Sequence, residues 1–257
     1  MSVQVTAVST EVKVTPLGSQ EGEFFQLDRA LIFEDPDGTR VLYDPGRTVA
    51  GANDPRLGEV DVILVSHMHG DHVGDKHIAE VGKGQCKSTS FPVNVLPNTI
   101  NIAMAKDAII MTGSEMPKFF ASKLKALGGN PEKSQLVRFG ASKIVGGVTI
   151  TTVPAVHSNG ISGHMIGGEL GDLLNSSGLT ADAGPPTGYV LTFSNGLAVY
   201  LSGDTGVTAE QEKVVRDYYK VKLAVINIGD TFTTGPQEAA WVINELIKTR
   251  IGDRFPC

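Results

Sequence analysis

The stretch Val62 to Gly74, VILVSHMHGDHVG, constrains this chain more than any other. Val62 to Val65 are apolar and mostly β-branched, which fits a buried strand. Directly after them His67, His69, Asp71 and His72 fall within six residues around Gly70. Side chains alternate faces along extended chain, so His67 and His69 leave the strand end on the same side. Gly70 is read as permitting a tight turn that sends Asp71 and His72 back to that point. Three imidazoles and a carboxylate converging there form an N/O cage suited to zinc or another divalent transition ion. A lone histidine is more often a surface or satisfied core residue, and His77 and His164 take that reading. Three of the six histidines in one short window at a strand end do not.

Along the rest of the chain, Glu11 to Gly18 and Glu23 to Leu27 alternate as half-buried strands. Ala30 to Glu34 and Arg40 to Tyr43 flank the turn Asp35-Pro36-Asp37-Gly38 and predict a hairpin. A short helix is expected over His77 to Val81, irregular chain over Cys86 to Asn98, and helices over Ile102 to Met111 and Met116 to Leu127. Gln135 to Phe139, Ser142 to Val145 and Val148 to Val153 read as strands, the last leading into His157. Residues Asn159 to Pro186, rich in Gly, Ser, Asp and Pro, predict a long loop with a short helix at Glu169 to Leu174, forming a rim or lid. Gly188 to Phe193 and Leu197 to Leu201 predict a hairpin around Asn195-Gly196, running into Ser202-Gly203-Asp204-Thr205. A helix over Ala209 to Tyr219, a strand over Leu223 to Ile228 and a helix begun by Pro236 and continuing to Ile247 complete the reading.

HMHGDH matches the HxHxDH signature of the metallo-β-lactamase superfamily, and further matches run from about Asp44 to Ala240. The resemblance implies a four-layer αβ/βα sandwich of two mixed β-sheets flanked by helices, an α/β fold occupying residues 1–257 as one domain. Its halves would join near Gly140 to Gly147. In the family's arrangement His67, His69 and His157 hold one ion, Asp71 and His72 a second, and Asp204, in an S/A-G-D-T element, bridges them with its two oxygens. Asp44, at the next strand end, resembles the aspartate that supports the metal histidines; a turn-capping aspartate is an equal reading of that residue. The activity implied is metal-dependent hydrolysis by a metal-bound hydroxide, with Asp71 as the catalytic group that positions the hydroxide and shuttles a proton. Zinc is the default ion, one or two per chain, with manganese or iron fitting nearly as well. The stretch GDTFTTGPQEAA resembles the branch containing the ascorbate-6-phosphate lactonase, which suggests a small-molecule lactone or ester. A phosphodiesterase or nuclease of the same superfamily, and a non-catalytic metal-binding module, are the alternatives.

A net charge of −6 with no clustered Lys/Arg run argues against a nucleic-acid partner. No apolar run reaches the ~20 residues of a membrane helix, and neither a signal peptide nor a disulfide framework is suggested by the N-terminus or by the two cysteines, Cys86 and Cys257. The expectation is a cytoplasmic protein with a small-molecule substrate, for which a homo-oligomer is a compatible state. One departure stands out. The family carries a further histidine after the last helix, whereas no histidine follows His164 here and the sequence stops at Arg254-Phe255-Pro256-Cys257. A truncated sequence, a weak or missing second metal, and Cys257 as substitute ligand are the accounts open at this stage.

Overall fold

Runs of consecutive apolar residues, rather than alternating ones, mark strands buried on both faces, and the computed structural model, which describes residues 10–18, 30–81 and 90–249, shows what covers each face. A six-stranded sheet runs in the order β1 (Lys13–Pro16), β2 (Leu31–Glu34), β3 (Arg40–Tyr43), β4 (Val62–Leu64), β7 (Ile109–Thr112), β8 (Ser134–Leu136). A five-stranded sheet runs β15 (Leu223–Val225), β14 (Ala198–Leu201), β13 (Thr187–Thr192), β10 (Val148–Pro154), β9 (Ser142–Val145). On β4, Val62 and Leu64 face the second sheet while Ile63 packs under the helices α2 (Asn98–Lys106) and α3 (Met116–Ala126). On β14, Val199 and Leu201 face the first sheet while Ala198 and Tyr200 meet the C-terminal helical segments. Every residue of these two strands is thereby buried, and the layers stack as helix, sheet, sheet, helix.

The first sheet is antiparallel from β1 to β3 and parallel from β3 through β8; the second is antiparallel except for the parallel pair β14–β15. The chain passes from one sheet to the other between β8 and β9, within the Gly140 region expected from the sequence. The two sheets are tied by Tyr189, fully buried between them, whose hydroxyl donates to the carbonyl of Val65 at 2.6 Å. A second tie joins the hairpin tips, where Asp35 accepts from the backbone N–H and the hydroxyl of Ser194, both at 2.7 Å.

Several expectations are corrected. His77 lies in a short strand, β5 (Lys76–Ile78), paired antiparallel with β6 (Ser90–Pro92), where a helix and irregular chain were expected. Residues 102–111 divide into the end of α2 and the strand β7, because the turn at Asp107, in the left-handed conformation, ends the helix and the β-branched pair Ile109-Ile110 continues the sheet. The stretch 159–186 carries the helix expected at Glu169 to Leu174, as α5 (Gly168–Ser176), but it also holds α4 (Gly163–Ile166) and the pair β11 (Gly160–Ile161) and β12 (Ala181–Asp182), which were not expected. The two helices cross at Gly163 and Gly171, where a Cβ on either would fall within 2.4 Å of the other's carbonyl. The segments Gln211–Tyr218 and Val242–Ile247 are wide π-type helices, the second continuing α6 (Pro236–Trp241). The strand reading of Glu23 to Leu27 and both cysteines, Cys86 and the terminal Cys257, lie outside the described residues.

Candidate metal centre

Three strand ends deliver the site. β4 runs into His67 and His69, β10 into His157, and β14 into Asp204. The helical turn α1 (Gly70–Val73) follows His69 and carries Asp71 and His72. Gly70 proves necessary for room rather than for an unusual backbone angle: a Cβ there would sit 2.5 Å from the Asp75 carboxylate, which grips Arg47 through two bonds of 2.5 and 2.7 Å. The turn is made instead by Gly74, at φ +83°, whose N–H caps the carbonyl of Gly70.

The rings gather closely. His67 lies with its centroid 4.5 Å from His69, 4.0 Å from His72 and 5.0 Å from His157, and His69 lies 5.1 Å from His157. Two groups of donor atoms each fit within 4.8 Å: His67, His69 and His157, and His67, His72 and Asp204. Asp204 Oδ2 is 3.3 Å from His72 Nε2 and 3.9 Å from His157 Nε2, so it stands between the groups. Asp71 joins neither group at that distance, but its carboxylate is 3.6 Å from His72 Nε2 and is partly open to solvent. His77 and His164 lie in neither.

The family profile described as "Beta-lactamase superfamily domain" matches residues 39–251, from the first hairpin to the last helix. The chain belongs to the metallo-β-lactamase superfamily. Among curated proteins it is 31% identical over 226 residues to a UPF0173 metal-dependent hydrolase of Cupriavidus taiwanensis, covering 84% of this chain and 66% of that protein. It is 30% identical over 219 residues to the UPF0173 metal-dependent hydrolase of Methanopyrus kandleri, covering 84% and 75%. The chain thus spans just under two thirds of the length of the Cupriavidus relative. Among solved structures it resembles Igni18, a metallo hydrolase from Ignicoccus hospitalis, with TM-score 0.60, 19% identity and coverage of 94% and 81%. It also resembles the metallo-β-lactamase fold protein YhfI of Bacillus subtilis, with TM-score 0.52, 13% identity and coverage of 92% and 82%. These two likenesses concern the fold.

The hydrogen-bond network around this superfamily site explains which nitrogens face the centre. Asp44, buried and at φ +39°, accepts the backbone N–H of Ser66 at 2.8 Å and the Ser66 hydroxyl at 2.7 Å. Aspartate tolerates this left-handed backbone better than most residues. With its proton committed to Asp44, Ser66 Oγ is left to accept from His67 Nδ1 at 3.0 Å, and Asp44 Oδ2 also meets His72 Nδ1 at 2.8 Å. Both rings are held by Nδ1; His67 Nε2 is buried without a hydrogen-bond partner, and His72 Nε2 faces the carboxylates of Asp204 and Asp71 at 3.3 and 3.6 Å. Two buried imidazole nitrogens grouped with a carboxylate fit a divalent cation, because a buried polar atom left unpaired is otherwise costly. The chain therefore has a His/Asp metal-binding site.

Charge follows the same layout. Burial, reinforced by His72, pushes His67 well below the usual histidine range, and burial together with His157 lowers His69. Both stay neutral at pH 7, the form that binds metal. Burial would also depress His72, but the carboxylates of Asp44 and Asp204 outweigh it and lift the imidazole to about 10.

Three contributors carried no signal in the spacing of the motif. Ser66 bridges two histidines to one aspartate. Arg47 fixes Asp75 behind the turn. Asn159 reaches the backbone of Met68 from across the molecule. Asn159's adjacency to His157 was the one available hint.

Proposed function

We propose that this chain is a zinc-dependent hydrolase of small-molecule esters, with lactones as the first substrate class. His67, His69 and His157 would hold one ion, and Asp71, His72 and Asp204 a second. The observation that carries the reading is the buried Nε2 of His67, without a hydrogen-bond partner, grouped with His72 Nε2 and the Asp204 carboxylate within metal-ligand reach of one another. The names of the relatives support hydrolysis, and the likeness of GDTFTTGPQEAA to the lactonase branch supports the ester class. A divalent cation held by these residues would supply a bound water of much lowered pKa, about 7, and a Lewis acid for the ester carbonyl.

The chain's own groups do the remaining work. Asp71, partly exposed beside His72, takes the proton of the attacking water as the new C–O bond forms. It returns that proton to the alkoxide as the ester C–O bond breaks, so the products are a carboxylic acid and an alcohol, joined in one molecule when the substrate is a lactone. Asp44 and Ser66 keep the histidine tautomers fixed through the cycle. The charge of −6 favours a small substrate over a nucleic acid. Zinc-loaded protein assayed against a lactone panel and against bis(p-nitrophenyl) phosphate tests the reading. Turnover of lactones at least tenfold above the phosphodiester supports it, and the reverse order overturns the ester class.

A further inference from the structure

His157, Ser158 and Asn159 are consecutive, and all three reach back about 90 residues to the same short stretch of chain. The ring of His157 lies 5.0 and 5.1 Å from those of His67 and His69. Ser158 Oγ stands 3.3 Å from His69 Nε2. Asn159 Oδ1 accepts the backbone N–H of Met68 at 2.8 Å, between the two histidines. Past Leu64 this chain has left the sheet, so its N–H donors have no ladder partner. The side chains of Asp44 and Asn159 supply the missing acceptors for Ser66 and Met68.

The other end of the Asn159 carboxamide faces the rim. Its Nδ2 donates to the carbonyl of Gly184 at 2.9 Å, and its backbone carbonyl accepts from Ala183 at 3.0 Å. Asn159 is buried, and its bond to Met68 is shielded from water. We propose that Asn159 is a positioning residue of the metal centre: its carboxamide fixes the backbone that aims His67 and His69 and joins it to the rim built from residues 160–185. Only a planar amide, offering an acceptor on one side and a donor on the other, satisfies both neighbours at once.

The inference rests on the metal-site reading above, and the test keeps the two separable. Metal-free wild type, Asn159→Ala and Asn159→Asp are titrated with cobalt(II), following the visible absorption of the bound ion and competition with a chelator. Wild type that binds no cobalt overturns the metal-site reading itself. Given wild-type binding, Asn159→Ala is expected to bind cobalt about 10- to 100-fold more weakly with an altered visible spectrum. Asn159→Asp keeps the acceptor for Met68 but sets an oxygen against the carbonyl of Gly184, so its cobalt affinity is expected to fall between those of wild type and the alanine variant. Unchanged affinity and spectrum in the alanine variant overturn the inference, as does an aspartate variant that loses as much as alanine. Should the alanine variant not fold, amide exchange of wild type decides. The Met68 N–H is expected to exchange at least 100-fold more slowly than an unbonded loop amide, and exchange at the free-loop rate overturns the assignment.

Discussion

Asp44 Oδ2 and His72 Nδ1 meet at 2.8 Å across 28 residues of sequence, both side chains withdrawn from solvent. The same carboxylate also holds Ser66, and through it His67, so one aspartate orients two imidazoles. Replacing Asp44 with alanine strips a buried charge pair of one partner, which costs about 3–5 kcal/mol, and removes the support of two metal-facing rings, which costs about 10- to 100-fold in zinc affinity. Thermal melting of the metal-free variant and zinc titration against a chelator check the two effects separately. A variant with wild-type zinc affinity would show that Asp44 is only a turn residue.

His69 is more exposed than His67 and packs against both His67 and His157. His69→Ala is expected to abolish ester hydrolysis while leaving the fold intact, because the lost ring sits at the open side of the cluster. Turnover and circular dichroism on the same preparation test this. Unchanged turnover would remove His69 from the site.

The pH dependence of the metal-free protein has a definite sign. Against its burial, the carboxylates of Asp44 and Asp204 lift His72 to about 10, above the ordinary histidine value of 6.5. Its contribution to stability is therefore complete below pH 6.5 and is lost as the pH climbs through 10. His67 and His69 are depressed, so they weaken the fold as the pH falls below 6.5. Urea midpoints of chelator-treated protein should decline from pH 7 to 9.5, and the decline should shrink in His72→Gln. With saturating zinc the decline should vanish in that window, because the zinc-bound folded chain and the unfolded chain both leave His72 without the extra proton there. Identical slopes with and without zinc would contradict the assignment of His72.

Gly74 holds φ +83°, and a Cβ on it would fall 2.7 Å from the carbonyl oxygen of Gly46 and 2.8 Å from Cβ of Asn98. The obstruction is backbone on one side, so it cannot swing away. Gly74→Ala should destabilise the chain by about 2–4 kcal/mol from left-handed strain and overpacking together, read as a lower urea midpoint. Loss of less than about 0.5 kcal/mol would mean that the α1 turn repacks freely.

The sequence made the sheets legible where one residue type filled both faces of a strand, as in Val62 to Val65 and Ala198 to Leu201. It also placed the three strand ends that converge, since HMHGDH, His157 and Asp204 each follow a β-rich run. It misread His77 and Ile109-Ile110, because short apolar runs fit strand and helix alike until the pairing partner is known. The stretch 159–186 looked irregular because two of its glycines, Gly163 and Gly171, serve a close helix crossing while others, such as Gly167 and Gly178, serve turns. Ser66, Arg47 and Asn159 stayed hidden for a different reason: each acts through a partner far along the chain, and such pairing leaves no local pattern.

One cation-binding centre is assembled from His67, His69, His157 and the Asp71–His72–Asp204 side. Anomalous scattering from crystals of the zinc-loaded protein, collected at the zinc edge, locates the ion directly. A peak is expected within bonding distance of His67, His69 and His157, with any second peak beside His72 and Asp204. A zinc-loaded crystal whose anomalous peaks all lie away from these residues would contradict it.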